Sequence, residues 1–174
     1  MVMLSQCQFL WSGVLWREDI SLAYQGEVEA MMILLSIKQV YCDLILNGAK
    51  RFEFRKRLPN GLQKGGEVAI YCTRPVSRVV AYFRIAGVIQ ATRRSLWRQT
   101  RLAAGINYET FMRYFKAVQK ANAIKIGKLH VLNTPLSLVR LRRNKTPPQS
   151  FLYLTESQSR LVKAMAVHQN VKGA

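Results

Sequence analysis

Between Gly48 and Arg57 the chain alternates aromatic and charged residues, in the order Gly-Ala-Lys-Arg-Phe-Glu-Phe-Arg-Lys-Arg. Side chains of an extended strand project alternately to its two faces, so Phe52 and Phe54 are expected on the same face. The opposite face would carry the charged side chains of Arg51, Glu53, Arg55 and Arg57. The segment predicts a strand whose aromatic side enters a core and whose charged side lines a surface or a cleft. Lys50 can join this charged side if it lies in the turn before the strand.

Hydrophobic periodicity and turn residues divide the rest of the chain into short elements. The predicted strands are 33–37, 50–57, 67–73, 77–91 with a bulge at Gly87, 122–132 and 152–154, and the predicted helices are 40–46, 92–104, 108–118 and 157–168. A turn is predicted at 134–138. Except at the helices, the connections between strands are too short for parallel crossovers. The fold class is therefore α+β: a small, mostly antiparallel and partly closed β-barrel with flanking helices.

The second constraint is the formal net charge of +18 over 174 residues. A surplus of this size repels itself, and the usual reason to carry it is a polyanionic partner. Nucleic acid is the first candidate and an anionic membrane surface the second, because the cations occur in clusters that also contain aromatic residues. No run of the sequence matches the roughly 20 apolar residues of a spanning helix. A cytoplasmic protein that does not enter the membrane is therefore expected.

Residues 1–30 differ from the rest of the chain in charge, since they contain four acids and a single base, Arg17. Two explanations are open. Translation starts at Met31 or Met32, or the segment is a loosely ordered extension, and the contrast in charge favours the first. We therefore expect an N-terminal segment over 1–30, a domain over 31–155 and a helical tail over 156–174, whose last residues fray.

The cysteines and histidines give little support to metal or nucleophile chemistry. Cys7, Cys42 and Cys72 lack the spacing of metal ligands, and each is interpreted as a small buried hydrophobic residue. His130 and His168 are too isolated to form a metal site or a catalytic set. The sequence thus predicts no metal and no cofactor.

Gly48-x-Lys50-x-x-Glu53-x-Arg55 resembles the GxKxxExR signature of the ASCH domain, a branch of the PUA-like superfamily. Four further stretches resemble one prokaryotic subgroup, often described as predicted transcriptional regulators. They are Ile33-Leu34-Leu35-Ser36-Ile37-Lys38, Tyr71-x-Thr73-x-Pro75-Val76, Ala123-Ile124-Lys125-Ile126 and Pro147-Pro148-Gln149-Ser150-Phe151-x-Tyr153-Leu154. Together the matches cover about residues 32–154.

The resemblance implies a PUA-like β-barrel with a cleft beside the first helix, lined by the residues of the motif. Family members are thought to bind RNA or modified nucleotides. The partner implied is therefore nucleic acid, with RNA favoured over DNA, and the role implied is that of a transcriptional or post-transcriptional regulator. Some members are hydrolases: one branch removes acyl groups from N4-acylated cytidine, and another has been assigned ribonuclease activity.

The chain departs from its relatives at three places. In the amidohydrolase branch the signature lysine works with a threonine at the position that Glu53 occupies here, which argues against that mechanism. Gln39 stands where the subgroup usually has proline. The helical stretch from Arg93 to Arg101 is basic where relatives are often acidic, which is expected to strengthen binding to polyanions. Binding without turnover is the favoured interpretation, and an amidohydrolase or a ribonuclease is the alternative.

Lys50, Glu53 and Arg55 form the first candidate site. Lys50 would supply a point charge or, if desolvated, a base, and Arg55 would make a planar, two-toothed contact with a phosphate or a base edge. Glu53 would orient these cations or carry a proton. The competing interpretation is an ion-pair ladder on a solvated face. Spacing alone favours neither, and the resemblance favours the cleft.

Further candidate residues would surround this cleft. They are Gly48, Arg57, Arg140, Arg142, Arg143, Gln149 and Ser150. Arg140 and Arg142 would share one face of an extended basic segment, for which a solvated loop is the competing interpretation. Gln149 and Ser150 follow two prolines and would present polar groups to a ligand, unless the segment is simply a rigid turn.

A second basic surface is predicted on the helix over 92–104. Its exposed face would carry Arg93, Arg94, Arg98 and Arg101. Trp97 lies nearby in the same helix and is interpreted as a core residue. If it were exposed, it could stack on a base.

Overall fold

A computed structural model of the protein describes residues 32–142 and 146–166. The predicted N-terminal segment 1–30, Met31 as one of the two predicted starts, the residues Arg143 and Lys145, and the end of the C-terminal tail lie outside the described residues. The predicted domain boundaries therefore stay predictions.

The described chain forms six strands and five α-helices, in the order that the sequence predicts with one short helix added. The elements are β1 (Ile33–Ile37), α1 (Gln39–Leu46), β2 (Phe52–Arg55), β3 (Glu67–Cys72), β4 (Arg78–Thr92), α2 (Arg93–Thr100), a 3-10 turn (Arg101–Ala103), α3 (Tyr108–Tyr114), β5 (Lys120–Leu136), α4 (Leu138–Leu141), β6 (Phe151–Tyr153) and α5 (Glu156–Ala164). The predicted α+β class is confirmed.

The six strands form one sheet in the order β2-β5-β4-β3-β1-β6. The pair β1–β3 is parallel and the other neighbours are antiparallel, as predicted. The parallel pair is possible because α1 and β2 lie between these strands in sequence and supply the long connection that it needs. The sheet curls into a half-barrel. Register shifts in the β4–β5 pair, one of them between Ile85 and Gly87, mark bulges of the kind that bend strands.

The core has three parts, and the first two lie on opposite faces of β1. Alternate residues of this strand are buried on opposite faces: Leu34 packs in a cluster with α4 and α5, whereas Leu35 packs in a cluster with α1. A third cluster lies under α2 and α3 and includes Phe54 and Phe111. The rings of these two residues meet edge to face with centroids 5.0 Å apart. The aromatic face of β2 therefore enters a core, as the sequence predicts.

Two helices differ from their predicted form. In α1 the buried residues are Cys42 and Ile45, whereas Val40, predicted on the apolar face, is 58% exposed. The predicted helix over 92–104 ends at Thr100 and continues as the 3-10 turn. A 3-10 turn has a different period from an α-helix, so Leu102 leaves the buried face and is 93% exposed.

β5 extends into the predicted turn at 134–138 and ends at Leu136. Leu136 still pairs with Val79 of β4, and Asn133 donates its backbone N–H to the carbonyl of Met165. β2 pairs with β5 only around residues 122–125. Pro135, which has no N–H to donate, is therefore tolerated where β2 no longer pairs with this strand. Thr134 and Pro135 favour a turn locally, but the pairing of β5 with β4 overrides this preference.

Candidate functional site

β2 and the turn before it bury three charged side chains. Lys50 is 3% exposed, Glu53 is 7% exposed and Arg55 is 8% exposed. Glu53 and Arg55 belong to β2 and lie opposite Ile124 and Asn122 of β5. Lys50 lies outside the strand, in the turn, which is the position that the spacing required. The competing interpretation of a solvated ion-pair ladder is wrong, because all three side chains are withdrawn from water.

The turn between α1 and β2 fixes the backbone of Lys50. Gly48 has a φ of +80°, and its N–H bonds to the carbonyl of Ile45. A residue with a side chain rarely adopts this conformation, so glycine suits the end of the helix. The N–H of Lys50 then bonds to the carbonyl of Leu44 at 2.8 Å. The predicted role of Gly48 in ligand binding stays a prediction, and its observed role is conformational.

The ammonium group of Lys50 is held by a carbonyl and two rings. Nζ donates a hydrogen bond of 2.7 Å to the carbonyl of Ala104, just after the 3-10 turn. It lies 4.6 Å from the ring centroid of Phe54 and 5.4 Å from that of Tyr41, within the range of cation–π attraction. Burial lowers the pKa of Lys50 to about 8, although the carboxylate of Glu53 acts in the opposite direction.

The aliphatic stem of Lys50 packs against Gly105. A Cβ added to this glycine would lie 2.7 Å from Cβ of Lys50 and 2.9 Å from its Cγ, and Gly105 has a φ of +65°. Any side chain here would collide with the lysine and strain the backbone. The sequence predicts that Gly105 ends a helix, but it does not predict that Gly105 packs against the side chain of Lys50.

Glu53 and Arg55 form a buried ion pair, with Nε of Arg55 3.4 Å from Oε1 of Glu53. Nη2 of Arg55 donates to the carbonyl of Ser36 at 3.0 Å, while its buried Nε makes no hydrogen bond. Burial raises the pKa of Glu53, and the charges of Arg55 and Lys50 oppose that rise. The group contains two cations and one acid, so it favours an anion.

Ser36 connects this pair to the segment that precedes β6. Its Oγ donates to the carbonyl of Pro148 at 2.6 Å, and its N–H donates to the carbonyl of Ser150. The segment containing Gln149 and Ser150 therefore adjoins the residue that accepts from Arg55. Both side chains are exposed there, so they are free to contact a ligand.

Three residues near the cluster were not identified from the sequence. Tyr114 donates its hydroxyl to the carbonyl of Phe54 at 3.4 Å, and burial raises its pKa, with Arg55 opposing that rise. Tyr41 faces Lys50. Asn122 donates from Nδ2 to the carbonyls of Arg55 and Lys56 and holds the end of β2. A signal existed for Asn122, because it is a polar residue at a buried position of an apolar strand.

Among the described residues, the other predicted cations are Arg57, Arg140 and Arg142, and no ion pair joins them to the cluster. Arg57 is exposed beyond the end of β2. Arg140 lies in α4 and Arg142 follows it, so the prediction of one extended face for this pair is wrong. The buried residues of α4, Leu138 and Leu141, belong to the cluster shared with α5. These contacts fold the segment as a helix turn where the sequence indicates an extended chain.

Within residues 32–142 and 146–166, no group of three or more His, Cys, Asp or Glu side chains is placed to hold a metal ion. Over the same ranges, every helix is too short or too polar to cross a lipid bilayer. Cys42 and Cys72 are buried free thiols, in agreement with the interpretation of these two cysteines.

Comparison with known proteins places these features in a family. The ASCH domain family model matches residues 35–130. The ASCH domain-containing ribonuclease of Zymomonas mobilis is 28% identical over 129 residues, which are 72% of this chain and 86% of that protein. The crystal structure of ASCH from Zymomonas mobilis has a TM-score of 0.73 at 24% identity, covering 79% of this chain and 97% of the other. The likeness in structure confirms the predicted PUA-like fold.

Proposed function

Because the chain belongs to the ASCH domain family, we propose that it binds nucleic acid, with RNA preferred over DNA, and holds a nucleotide at Lys50, Glu53 and Arg55. The observation that carries this proposal is the burial of all three charged side chains in one small region.

Burying a charged side chain costs free energy, and structural contacts alone do not offset that cost. Moving an ion from water into even a relaxed protein interior costs roughly several kcal/mol per ion. Here the acid lies 3.4 Å from Nε of Arg55, Lys50 has a carbonyl as its partner, and Nε of Arg55 makes no hydrogen bond. Apolar residues of similar size would fill the space at lower cost. Perturbed charges of this kind gather at sites of binding or catalysis.

The groups divide the tasks of recognition. The guanidinium of Arg55 is planar and matches a phosphate or a base edge. Lys50 contributes a compact charge from the turn, and Glu53 keeps both cations oriented. Gln149 and Ser150 add polar contacts from the segment anchored on Ser36. Gly48 and Arg57 border this region, and the cations Arg140, Arg142 and Arg143 supply affinity that is independent of sequence.

The net charge of +18 supports this proposal, since a protein that neutralises several phosphates releases counterions and loses affinity steeply with salt. A protein that binds RNA without turnover would act as a transcriptional or post-transcriptional regulator in the cytoplasm.

The test is binding of a labelled single-stranded RNA and of the matching DNA, followed by fluorescence anisotropy over a range of salt. Lys50→Met removes one buried charge, and Lys64→Met removes one exposed charge from the loop before β3 as a matched control. We expect Lys50→Met to weaken RNA binding about tenfold or more, since a hydrogen bond to a charged group contributes roughly 1.5–3 kcal/mol. Lys64→Met is expected to change it little.

Arg55→Lys supplies a second variant that keeps the charge and removes the planar fork. It is expected to reduce the preference of the protein among RNA sequences more than it reduces affinity. Equal effects of Lys50→Met and Lys64→Met, or binding that does not respond to salt, would contradict the proposal.

A second candidate function is RNA hydrolysis. Its support is the similar protein named as a ribonuclease, together with the pKa of about 8 at Lys50. At pH 7 about a tenth of such amines are neutral, which places the group near the optimum for a general base. Lys50 would accept the proton of a ribose 2′-hydroxyl, whose oxygen then attacks the adjacent phosphorus. The bond to the 5′-oxygen breaks, and this oxygen would take its proton from water, while the carboxylate of Glu53 keeps the amine oriented.

Incubation of the pure protein with end-labelled RNA tests this function, with cyclic phosphate and 5′-hydroxyl ends as the expected products. N4-acetylcytidine, incubated in parallel, tests the amidohydrolase activity that Glu53 argues against. Cleavage that persists in Lys50→Met, or the absence of product with the unaltered protein, would reject catalysis and leave binding as the function.

A further inference from the structure

A charged groove outside the candidate site lies between the start of α2 and the end of α3. It has a volume of about 640 Å³ and is lined by Arg93, Arg94 and Lys116 around an apolar floor that includes Met112 and Val118. None of its lining residues is an acid. Within the described part of the chain, none of its three cations lies within 4.0 Å of a carboxylate.

A row of arginines leads away from this groove along α2. Arg94, Arg98 and Arg101 are exposed and follow each other at spacings of four and three residues, so they share a face of the helix. The row continues into the 3-10 turn, where Ala103 accepts the backbone N–H of Arg51. The next residue, Ala104, accepts the hydrogen bond from Lys50. The groove therefore lies at the start of α2, which is about 12 Å long at 1.5 Å per residue, and the candidate site lies beyond its other end, past the 3-10 turn.

Two aromatic residues lie beside this row. The ring of Trp97, which is half-buried, stands 5.4 Å from that of Tyr108, which is 48% exposed. Trp97 also packs against the ring of Phe111, which restricts the position of the indole. The sequence predicts Trp97 as a core residue, and its half-buried side chain packs against the cluster under α2 and α3 at the edge of the core.

From this arrangement we infer that α2 and the groove form a track for the phosphate backbone of a single-stranded nucleic acid whose nucleotide is held at Lys50, Glu53 and Arg55. The inference rests on the proposed function and extends its footprint to a second surface. Proteins that bind single strands combine a cationic groove with aromatic side chains on which bases stack. An acidic peptide would be attracted by the same cations, but it would gain nothing from the aromatic pair or from the continuity with the candidate site.

The experiment compares a short and a long strand on matched variants. The probes are a fluorescein-labelled RNA trinucleotide and a single-stranded RNA of twenty nucleotides. The groove variant carries Arg93→Gln, Arg94→Gln and Lys116→Gln. The control variant carries Lys64→Gln, Arg84→Gln and Lys128→Gln, which removes three exposed cations elsewhere and gives the same net charge.

We expect the groove variant to bind the trinucleotide like the unaltered protein and to lose affinity for the long RNA, with a salt slope lower by about 2, since each contact with a single strand contributes roughly 0.7. The control variant should keep both affinities. Circular dichroism and the melting temperature check that both variants are folded.

Equal loss of long-strand affinity in the two triple variants would overturn the inference while leaving the proposed function intact. The same holds if the groove variant loses binding of poly-L-glutamate but not of RNA, because the groove would then serve an acidic protein. If the unaltered protein binds neither RNA, the proposed function itself fails, and the inference fails with it.

Discussion

Lys50→Met is expected to change how the stability of the protein depends on pH, because the ammonium group of Lys50 is charged at a place where charge is costly. Burial lowers its pKa from 10.5 to about 8. In the unfolded chain the amine returns to water and to its ordinary pKa. Between about pH 8 and pH 10.5 the unfolded state therefore binds more protons than the folded state, and stability rises with pH through this window.

The size of the effect follows from the fall in pKa. Each pKa unit corresponds to about 1.36 kcal/mol, so the charged lysine costs the folded protein roughly 3 kcal/mol below pH 8. Methionine carries no charge and fits between the rings of Tyr41 and Phe54, but it leaves the carbonyl of Ala104 without its donor, a loss of about 1–3 kcal/mol. At pH 7 these two terms largely cancel, so Lys50→Met is expected to be about as stable as the unaltered protein, or slightly more so.

The pH dependence separates the cost of the buried charge from the loss of the hydrogen bond to Ala104, because only the charge of Lys50 changes with pH. Urea unfolding of the two proteins at a series of pH values gives the difference in their free energies of unfolding. This difference is expected to move by about 3 kcal/mol in favour of the unaltered protein between pH 7 and pH 10.5, with most of the change complete by about pH 10.

Lys64→Met provides the control, since Lys64 is exposed. Its difference from the unaltered protein should stay constant over the same range, and titration of tyrosines and cysteines is common to all three proteins. A constant difference for Lys50→Met as well would show that Lys50 titrates like a lysine in water. The argument that burial of charge marks a functional site would then lose its basis.

Three further predictions concern stability and the shape of the site. Glu53→Gln leaves two buried cations without a counter-charge and is expected to lower the free energy of unfolding by about 3 kcal/mol or more, measured in urea. Gly105→Ala is expected to displace Lys50 and abolish RNA binding, and to lower the free energy of unfolding by about 1–3 kcal/mol. Gly61→Ala is the control, because Gly61 has a similar φ and no atom lies near the new Cβ, so this variant should keep RNA binding. Retained RNA binding in Gly105→Ala would contradict the prediction. Thr155→Ala removes the capping box of α5 and should cost about 1 kcal/mol in thermal or urea unfolding while RNA binding is unchanged.

Much of the fold could be predicted because local patterns and global packing agree. The strand over 77–91 and the strand over 67–73 match β4 and β3 almost to the residue, since continuous apolar runs bounded by turn residues have few alternatives. Thr92 and Asn107 cap α2 and α3 with their side chains, as residues of these types do. The extension of β5 could not be predicted, because Thr134 and Pro135 favour a turn locally and only the pairing with β4 reverses that preference.

The candidate site was predicted in part. The motif identified Lys50, Glu53 and Arg55, because alternation along a strand is a local property. Their partners are remote in sequence: Ala104 is 54 residues from Lys50, and Asn122 is 67 residues from Arg55. No periodicity connects such positions. The depth of burial could not be predicted either, since it depends on helices α1 and α3, which cover the strand from two separate parts of the chain.

The segment from Arg93 to Ala104 connects two charged parts of the protein. Its first residues line the groove between α2 and α3, and its last residue, beyond the 3-10 turn, accepts the hydrogen bond from the amine of Lys50. A displacement of this segment along the axis of α2 would therefore alter the hydrogen bond of Lys50 without any contact being made at the amine itself.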